Sequence, residues 1–117
     1  MFDAKNKRTT GSHYEAQVAA FLQKQGFQIL EQNYRCRSGE IDLIARDGKY
    51  LVFIEVKYRS NRRAGTALEA INNRKVEQVR RVAAVYLCQK RYPENTPVRF
   101  DAAGVDGEQI TYIKNAF

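Results

Sequence analysis

The chain is short of the residues that build disulfide frameworks and zinc centres. Its 117 residues include two cysteines, Cys36 and Cys88, and one histidine, His13. The cysteines form no Cys-x-x-Cys pair, and with a single imidazole they fall short of the ligand set of a structural zinc site. Both are expected as reduced thiols in a cytoplasmic protein. No window approaches the roughly 18 consecutive apolar residues that read as a membrane span, so no membrane partner is expected. Residues 1–10 are polar and basic and lack the apolar stretch of a signal peptide. Repeats and low-complexity segments are absent. The length suits one domain with a modest core, with a flexible N-terminal arm over residues 1–11 and a single folded domain over 12–117.

Positive charge is plentiful. The formal net charge is +7 and the sequence pI about 9.6, the range of nucleic-acid binders. The excess is concentrated between Val56 and Phe100, where Arg62-Arg63, Arg74-Lys75, Arg80-Arg81 and Lys90-Arg91 stand as pairs. A phosphate backbone is the natural partner for such a surface. A merely soluble basic face is the plainer alternative.

Periodicity predicts helix, three strands, helix, two strands. Ser12-His13-Tyr14-Glu15 reads as a capping box opening a first helix, with Tyr14, Val18, Phe21 and Leu22 as its apolar stripe and Gly26 as its stop. A strand follows over about 27–32, then a basic turn through Arg35 and Arg37. Thr66-Ala67-Leu68-Glu69 is a second capping box, predicting a long helix to about Lys90 with Leu68, Ile71, Val79, Val82 and Tyr86 inward. Short strands near 98–103 and 109–113 flank an Asp106-Gly107 turn. A helix between two strands suits a crossover joining parallel neighbours, so the fold class is α/β.

The most informative stretch is 39–58, Gly-Glu-Ile-Asp-Leu-Ile-Ala-Arg-Asp-Gly-Lys-Tyr-Leu-Val-Phe-Ile-Glu-Val-Lys-Tyr. Asp47-Gly48 predicts a two-residue hairpin turn, which pairs Arg46 with Lys49, Asp42 with Phe53 and Glu40 with Glu55. Alternation then places Glu40, Asp42, Glu55 and Lys57 on one face, with Asp42 and Glu55 as diagonal neighbours about 7–8 Å apart at Cα. Leu51-Val52-Phe53-Ile54 is apolar on both faces, as in an interior strand. Carboxylates at the end of such a run are costly unless paired or metal-bound. Asp42 and Glu55 are therefore expected to bind a hard divalent cation, Mg²⁺ or Mn²⁺, with the Val56 carbonyl as a third ligand and Lys57 beside it. Glu40 faces the same way, as a base or a ligand to a second metal. Arg59, Arg62, Arg63, Arg74, Lys75, Gln78 and Arg81 are the candidate nucleic-acid contacts, on the loop after Lys57 and on the second helix. Tyr34 and Tyr58 are candidates for stacking on unpaired bases. No helix carries base-reading side chains in register, so recognition by shape is expected.

Gly-x-Ile-Asp-Leu-Ile, a hairpin and then Phe-Ile-Glu-Val-Lys resemble the core of the restriction-endonuclease-like PD-(D/E)XK nucleases, and in particular archaeal Holliday junction resolvases. The chain from Ser12 to Phe117, including Arg99-Phe100-Asp101 and the ending Ile113-Lys114-Asn115-Ala116-Phe117, is most similar to the uncharacterised YraN-type bacterial proteins. Ile41 stands where the superfamily motif has proline, and Val76 where many YraN-type members have glutamine. The resemblance implies an αβββαβ core with a mixed central sheet flanked by helices. It implies a metal-dependent endonuclease acting on branched, damaged or single-stranded DNA, adds Glu15 to the catalytic set of Asp42, Glu55 and Lys57, and suggests a homodimer. Two other classes use the same residues: a nucleic-acid-binding module of nuclease fold that does not cut alone, and a protein that docks on an acidic protein surface.

Overall fold

The computed structural model describes the backbone of residues 2–59 and 71–117, and side chains over 13–58 and 71–117. Helix α1 spans Phe2–Lys24. It starts ten residues before the predicted Ser12 cap, because residues 2–10 hold no proline and several strong helix formers, and Gly11 weakens a helix by about 1 kcal/mol without ending it. Its end follows expectation. Gly26 takes φ +98°, while Phe27 N–H bonds to Leu22 O at 3.0 Å and Gly26 N–H to Gln23 O at 3.1 Å. These are the two bonds of a Schellman end.

The strands are β1 (Gln28–Cys36), β2 (Gly39–Asp47), β3 (Tyr50–Arg59), β4 (Val98–Asp106) and β5 (Gln109–Ile113). They form one sheet in chain order, antiparallel throughout except for the β3–β4 pair, which is parallel. A parallel pair needs a long crossover, and helix α2 (Asn73–Gln89) lies within it. The expected helix from Thr66 to Lys90 is thus shorter at its start. Ile71 and Asn72 are not helical, and the Asn72 side chain caps α2 by accepting from Lys75 N–H at 3.0 Å. The predicted capping box at Thr66–Glu69, with Leu68, lies outside the described residues. β1 runs on through Arg35 to Cys36, so the basic turn shrinks to Arg37-Ser38.

Two helices on opposite faces make a three-layer α/β domain. Val18, Ala19 and Leu22 of α1 pack on Leu43, Ala45, Val52, Ile54, Val56, Ala103 and Val105. Val79, Val82, Ala83 and Tyr86 of α2 pack on Ile41, Ile44, Leu51 and Phe53. β3 is sealed on both sides, and every residue from Leu51 to Val56 is buried. Sequence periodicity and structure agree here.

The β2–β3 turn differs from expectation by one residue. Asp47 pairs with Tyr50 and Arg46 with Leu51, leaving Gly48-Lys49 as the loop. Gly48, at φ +60°, takes the first central position, where Gly-X hairpin turns need glycine. Asp47 stays in the strand because Arg99 Nη2 holds its Oδ2 at 2.8 Å and Lys114 Nζ approaches at 3.6 Å. The register moves by two residues, so the faces are preserved along the paired stretch from Leu43 to Asp47. Phe53 pairs with Ile44 rather than with Asp42, and the ladder ends at Leu43–Ile54, so the expected Glu40–Glu55 pair does not form. On its other side Glu40 pairs with Arg35 of β1.

A buried polar hub ties β2, β4 and β5 together. Asp101 is fully buried and accepts from Arg99 Nε and Nη2, from the Tyr112 hydroxyl and from the Asn115 backbone N–H. Removing the acid leaves the largely buried Arg99 with Asp47 as its one remaining carboxylate partner. Asp101→Ala is expected to cost about 3–5 kcal/mol in urea unfolding, the usual penalty for breaking a buried pair, and Tyr112→Phe about 1 kcal/mol. Equal, small losses for both variants would contradict the hub.

Candidate active site

The site forms where β2 leaves β3. The paired ladder runs from Asp47–Tyr50 to Leu43–Ile54. Beyond it a side chain takes over, and Val56 N–H donates to Asp42 Oδ2 at 2.8 Å. The distortion extends to both neighbours of Asp42. Ile41 packs on the α2 side and Leu43 on the α1 side, so residues two apart in one strand face opposite ways. Across from them Asn33 takes φ +56°, between the pairs Gln32–Leu43 and Tyr34–Ile41. β3 meanwhile stays paired with β4 as far as Arg59. The gap becomes a cavity of about 380 Å³ lined by Glu15, Glu40, Asp42, Glu55, Val56, Lys57, Tyr58 and Lys75.

Four carboxyl groups line this cavity, and three of them crowd together. Glu15 comes from α1, Asp42 from β2 and Glu55 from β3. Burial, then the neighbouring Asp42 charge, pushes Glu15 up to about 7, and an Asn33 hydrogen bond partly offsets this. Glu55 is 1% exposed and is pushed up to about 8 by burial and then by Asp42, with Lys75 and Lys57 opposing. Lys75 Nζ lies 3.4 Å and Lys57 Nζ 3.9 Å from Glu55 Oε2. The other oxygen of Glu55, Oε1, is buried without a hydrogen-bond partner, as is Oε1 of Glu15. Buried carboxylate oxygens are rarely left unpartnered.

The donor set fits a hard cation, since carboxylate oxygens with room for water are the usual Mg²⁺ ligands. Two carboxylates suffice for such a site. Among the described residues no group of three or more His, Cys, Asp or Glu side chains is arranged to hold an ion.

The remaining candidates are distributed unevenly. Glu40 lines the cavity, but Arg35 Nε holds its Oε2 at 3.1 Å. Lys75 and Lys57 also line a second cavity of about 310 Å³ with Asn72, Arg74 and Gln78. Arg81 is exposed on α2 and lines neither cavity. The side chains of Arg59, Arg62 and Arg63 lie outside the described residues. Tyr58 stacks on Tyr14 at 4.2 Å between ring centroids beside the carboxylates. Tyr34 packs edge-on against Tyr86 on the α2 side and donates to Gln89. Sequence reasoning missed Asn33, whose one signal is an asparagine inside a strand, where it is a poor former. It also placed Lys75 only as a nucleic-acid contact, although its ammonium meets Glu55.

The model of the uncharacterised protein family UPF0102 matches residues 14–105. A UPF0102 protein of Lachnoclostridium phytofermentans is 49% identical over 112 residues, covering 96% of this chain and 95% of its own. Proteins of the same description from a Janthinobacterium species and from Legionella pneumophila are 43% and 41% identical, covering 94% and 92% of this chain and 88% and 92% of their own.

A carboxyl with a raised folded-state pKa binds more protons folded than unfolded between its two values. Stability of the metal-free protein therefore falls as pH rises from the ordinary value of 4.5 to about 8. Glutamine mimics the protonated acid. In EDTA, Glu55→Gln should leave the unfolding temperature unchanged near about pH 5 and raise it at about pH 8.5. A uniform drop at both would sink this account.

Proposed function

This chain belongs to the uncharacterised protein family UPF0102, and we propose that it is a metal-dependent nuclease of PD-(D/E)XK type acting on branched, damaged or single-stranded DNA. The observation that carries this reading is the cluster of Glu15, Asp42 and Glu55 in one half-buried cavity, with two buried carboxylate oxygens unpartnered and a lysine alongside. A purely structural acid so placed is normally saturated, as Asp101 is.

Asp42 and Glu55 would hold Mg²⁺ or Mn²⁺, with the Val56 carbonyl as a third ligand. Bound there, the ion supplies charge to the scissile phosphate and lowers the pKa of a coordinated water. The chain's own residues do the rest. Val56 N–H fixes one Asp42 oxygen, so that carboxylate keeps its orientation. Lys57, its side chain 36% exposed beside Glu55, reaches the cavity mouth, where it holds the attacking water or donates to phosphoryl oxygens as their charge develops. Glu15, protonated more readily than an ordinary glutamate, is suited to exchanging a proton with that water or the leaving oxygen. Arg74 and Lys75 line the adjoining cavity and suit the flanking phosphates. Tyr58, 42% exposed on its Tyr14 support, offers a ring face to an unpaired base. Cys36 and Cys88 are free thiols, and no helix among the described residues is long and apolar enough to cross a membrane. Both fit a cytoplasmic setting.

The test is cleavage of a panel of duplex, single strand, flap and four-way junction with Mg²⁺, Mn²⁺ or EDTA. Cutting should require the metal, be abolished by Asp42→Ala, and slow by on the order of 10²–10³-fold in Lys57→Ala. Salt-sensitive DNA binding without any cleavage, unchanged in Asp42→Ala, would replace this reading with a binding module.

A further inference from the structure

We infer that Lys75 is a built-in competitor for the cation site, which couples metal binding to phosphate binding by moving its charge from Glu55 to the substrate. The inference rests on the proposed nuclease reading and concerns a residue outside its carboxylate–lysine motif. Lys75 comes from the first turn of α2, an element that contributes none of the carboxylates. Its ammonium has two partners. Glu55 Oε2 lies at 3.4 Å and Gln78 Oε1 at 3.0 Å. Lys75 also stands on the wall shared by both cavities, with the carboxylates on one side and Asn72, Arg74 and Gln78 on the other.

The two oxygens of Glu55 are used differently. Oε2 faces the ammonium groups, whereas Oε1 is buried without a partner. A divalent ion drawn to Glu55 meets the Lys75 charge only one carboxylate away, and like charges at such range repel strongly in a half-buried site. Lys57 exerts the same effect more weakly, at 3.9 Å. A phosphate entering the second cavity gives Lys75 an anion to face instead. Its flexible four-carbon stem permits the swing.

Gln78, which accepts from the ammonium at 3.0 Å and lines the second cavity, gives it a partner on that side. A Cβ built on Gly39, the first residue of β2, would lie 2.6 Å from Gln78 Cδ, so this side chain packs directly on the hairpin backbone. Metal and phosphate thereby favour each other, and by linkage the effect is mutual.

The experiment measures Mn²⁺ affinity by electron paramagnetic resonance, with and without a single-stranded oligonucleotide of slowly cleaved phosphorothioate linkages. The proteins are wild type, Lys75→Met, Lys75→Arg and Asp42→Asn, each checked for fold by circular dichroism. For wild type, the oligonucleotide should tighten Mn²⁺ binding about tenfold, within the ordinary range of coupled sites. Compared at a pH where Glu55 is ionised in every variant, Lys75→Met should bind Mn²⁺ alone about fivefold more tightly than wild type and lose most of the oligonucleotide effect, while Lys75→Arg stays within about twofold of wild type. Weaker Mn²⁺ binding by folded Lys75→Met, or undiminished coupling in it, would overturn the inference. That outcome leaves the nuclease reading standing if Asp42→Asn abolishes Mn²⁺ binding. A folded wild type that binds no Mn²⁺ would overturn both.

Discussion

A single hydrogen bond, from Val56 N–H to Asp42 Oδ2, organises this molecule's most unusual region. β3 is buried on both faces, so each of its amides needs a partner. Where β2 diverges, no β2 carbonyl continues the ladder, and an aspartate side chain substitutes for it. The substitution holds a carboxylate at the sheet's interior edge. Glu55 is then close enough to be repelled by Asp42, Glu15 meets it from α1, and the Ile41–Leu43 face change and the positive φ of Asn33 follow as accommodations. The cavity results from that exchange of acceptors.

The two buried acid sites differ in how far they are satisfied. Asp101 is surrounded by donors from Arg99, Tyr112 and Asn115, and Arg99 also reaches Asp47 to hold β2 in register. Its polar capacity is spent within the fold. The Glu15–Asp42–Glu55 cluster is short of donors, with carboxyl groups of raised pKa and unpartnered oxygens. Unsatisfied buried acids are a cost that folding alone does not explain. One acid set stabilises the sheet, and the other, one residue further along the β3–β4 ladder at Glu55, leaves binding capacity available.

Much of this was legible in the residues. The apolar run Leu51–Ile54 announced an interior strand, and the hydrophobic stripe ending at Gly26 announced α1 and its stop. Parity alone put Glu40, Asp42, Glu55 and Lys57 on one face, and along the paired ladder that parity survived because moving the turn by one residue shifts the register by two. Beyond Leu43 the face change at Ile41 breaks it. The error itself was tertiary in origin. Asp47-Gly48 is a strong local turn signal, but Arg99, 52 positions away, holds Asp47 in the strand. The same holds for Lys75. Its place beside Glu55 depends on how α2 crosses the sheet, which no local pattern encodes. Asn33 gave only the weak signal of an asparagine inside a strand, because its left-handed backbone answers to the distortion of β2 across the ladder. The early start of α1 reflects weak terminal signals, since a glycine and a cap-like serine do not outweigh a run of helix formers.

The sheet's connectivity also orders events in time. Asp42, Glu55 and Lys57 belong to one hairpin, and Asp42 lies 14 positions from the amide that anchors it. Hairpins close in about 1–10 μs. Lys75 reaches Glu55 only when the crossover has docked and β4 has paired parallel to β3, a non-local step that closes later. Folding thus assembles the acidic half of the cavity before the α2 lysine arrives.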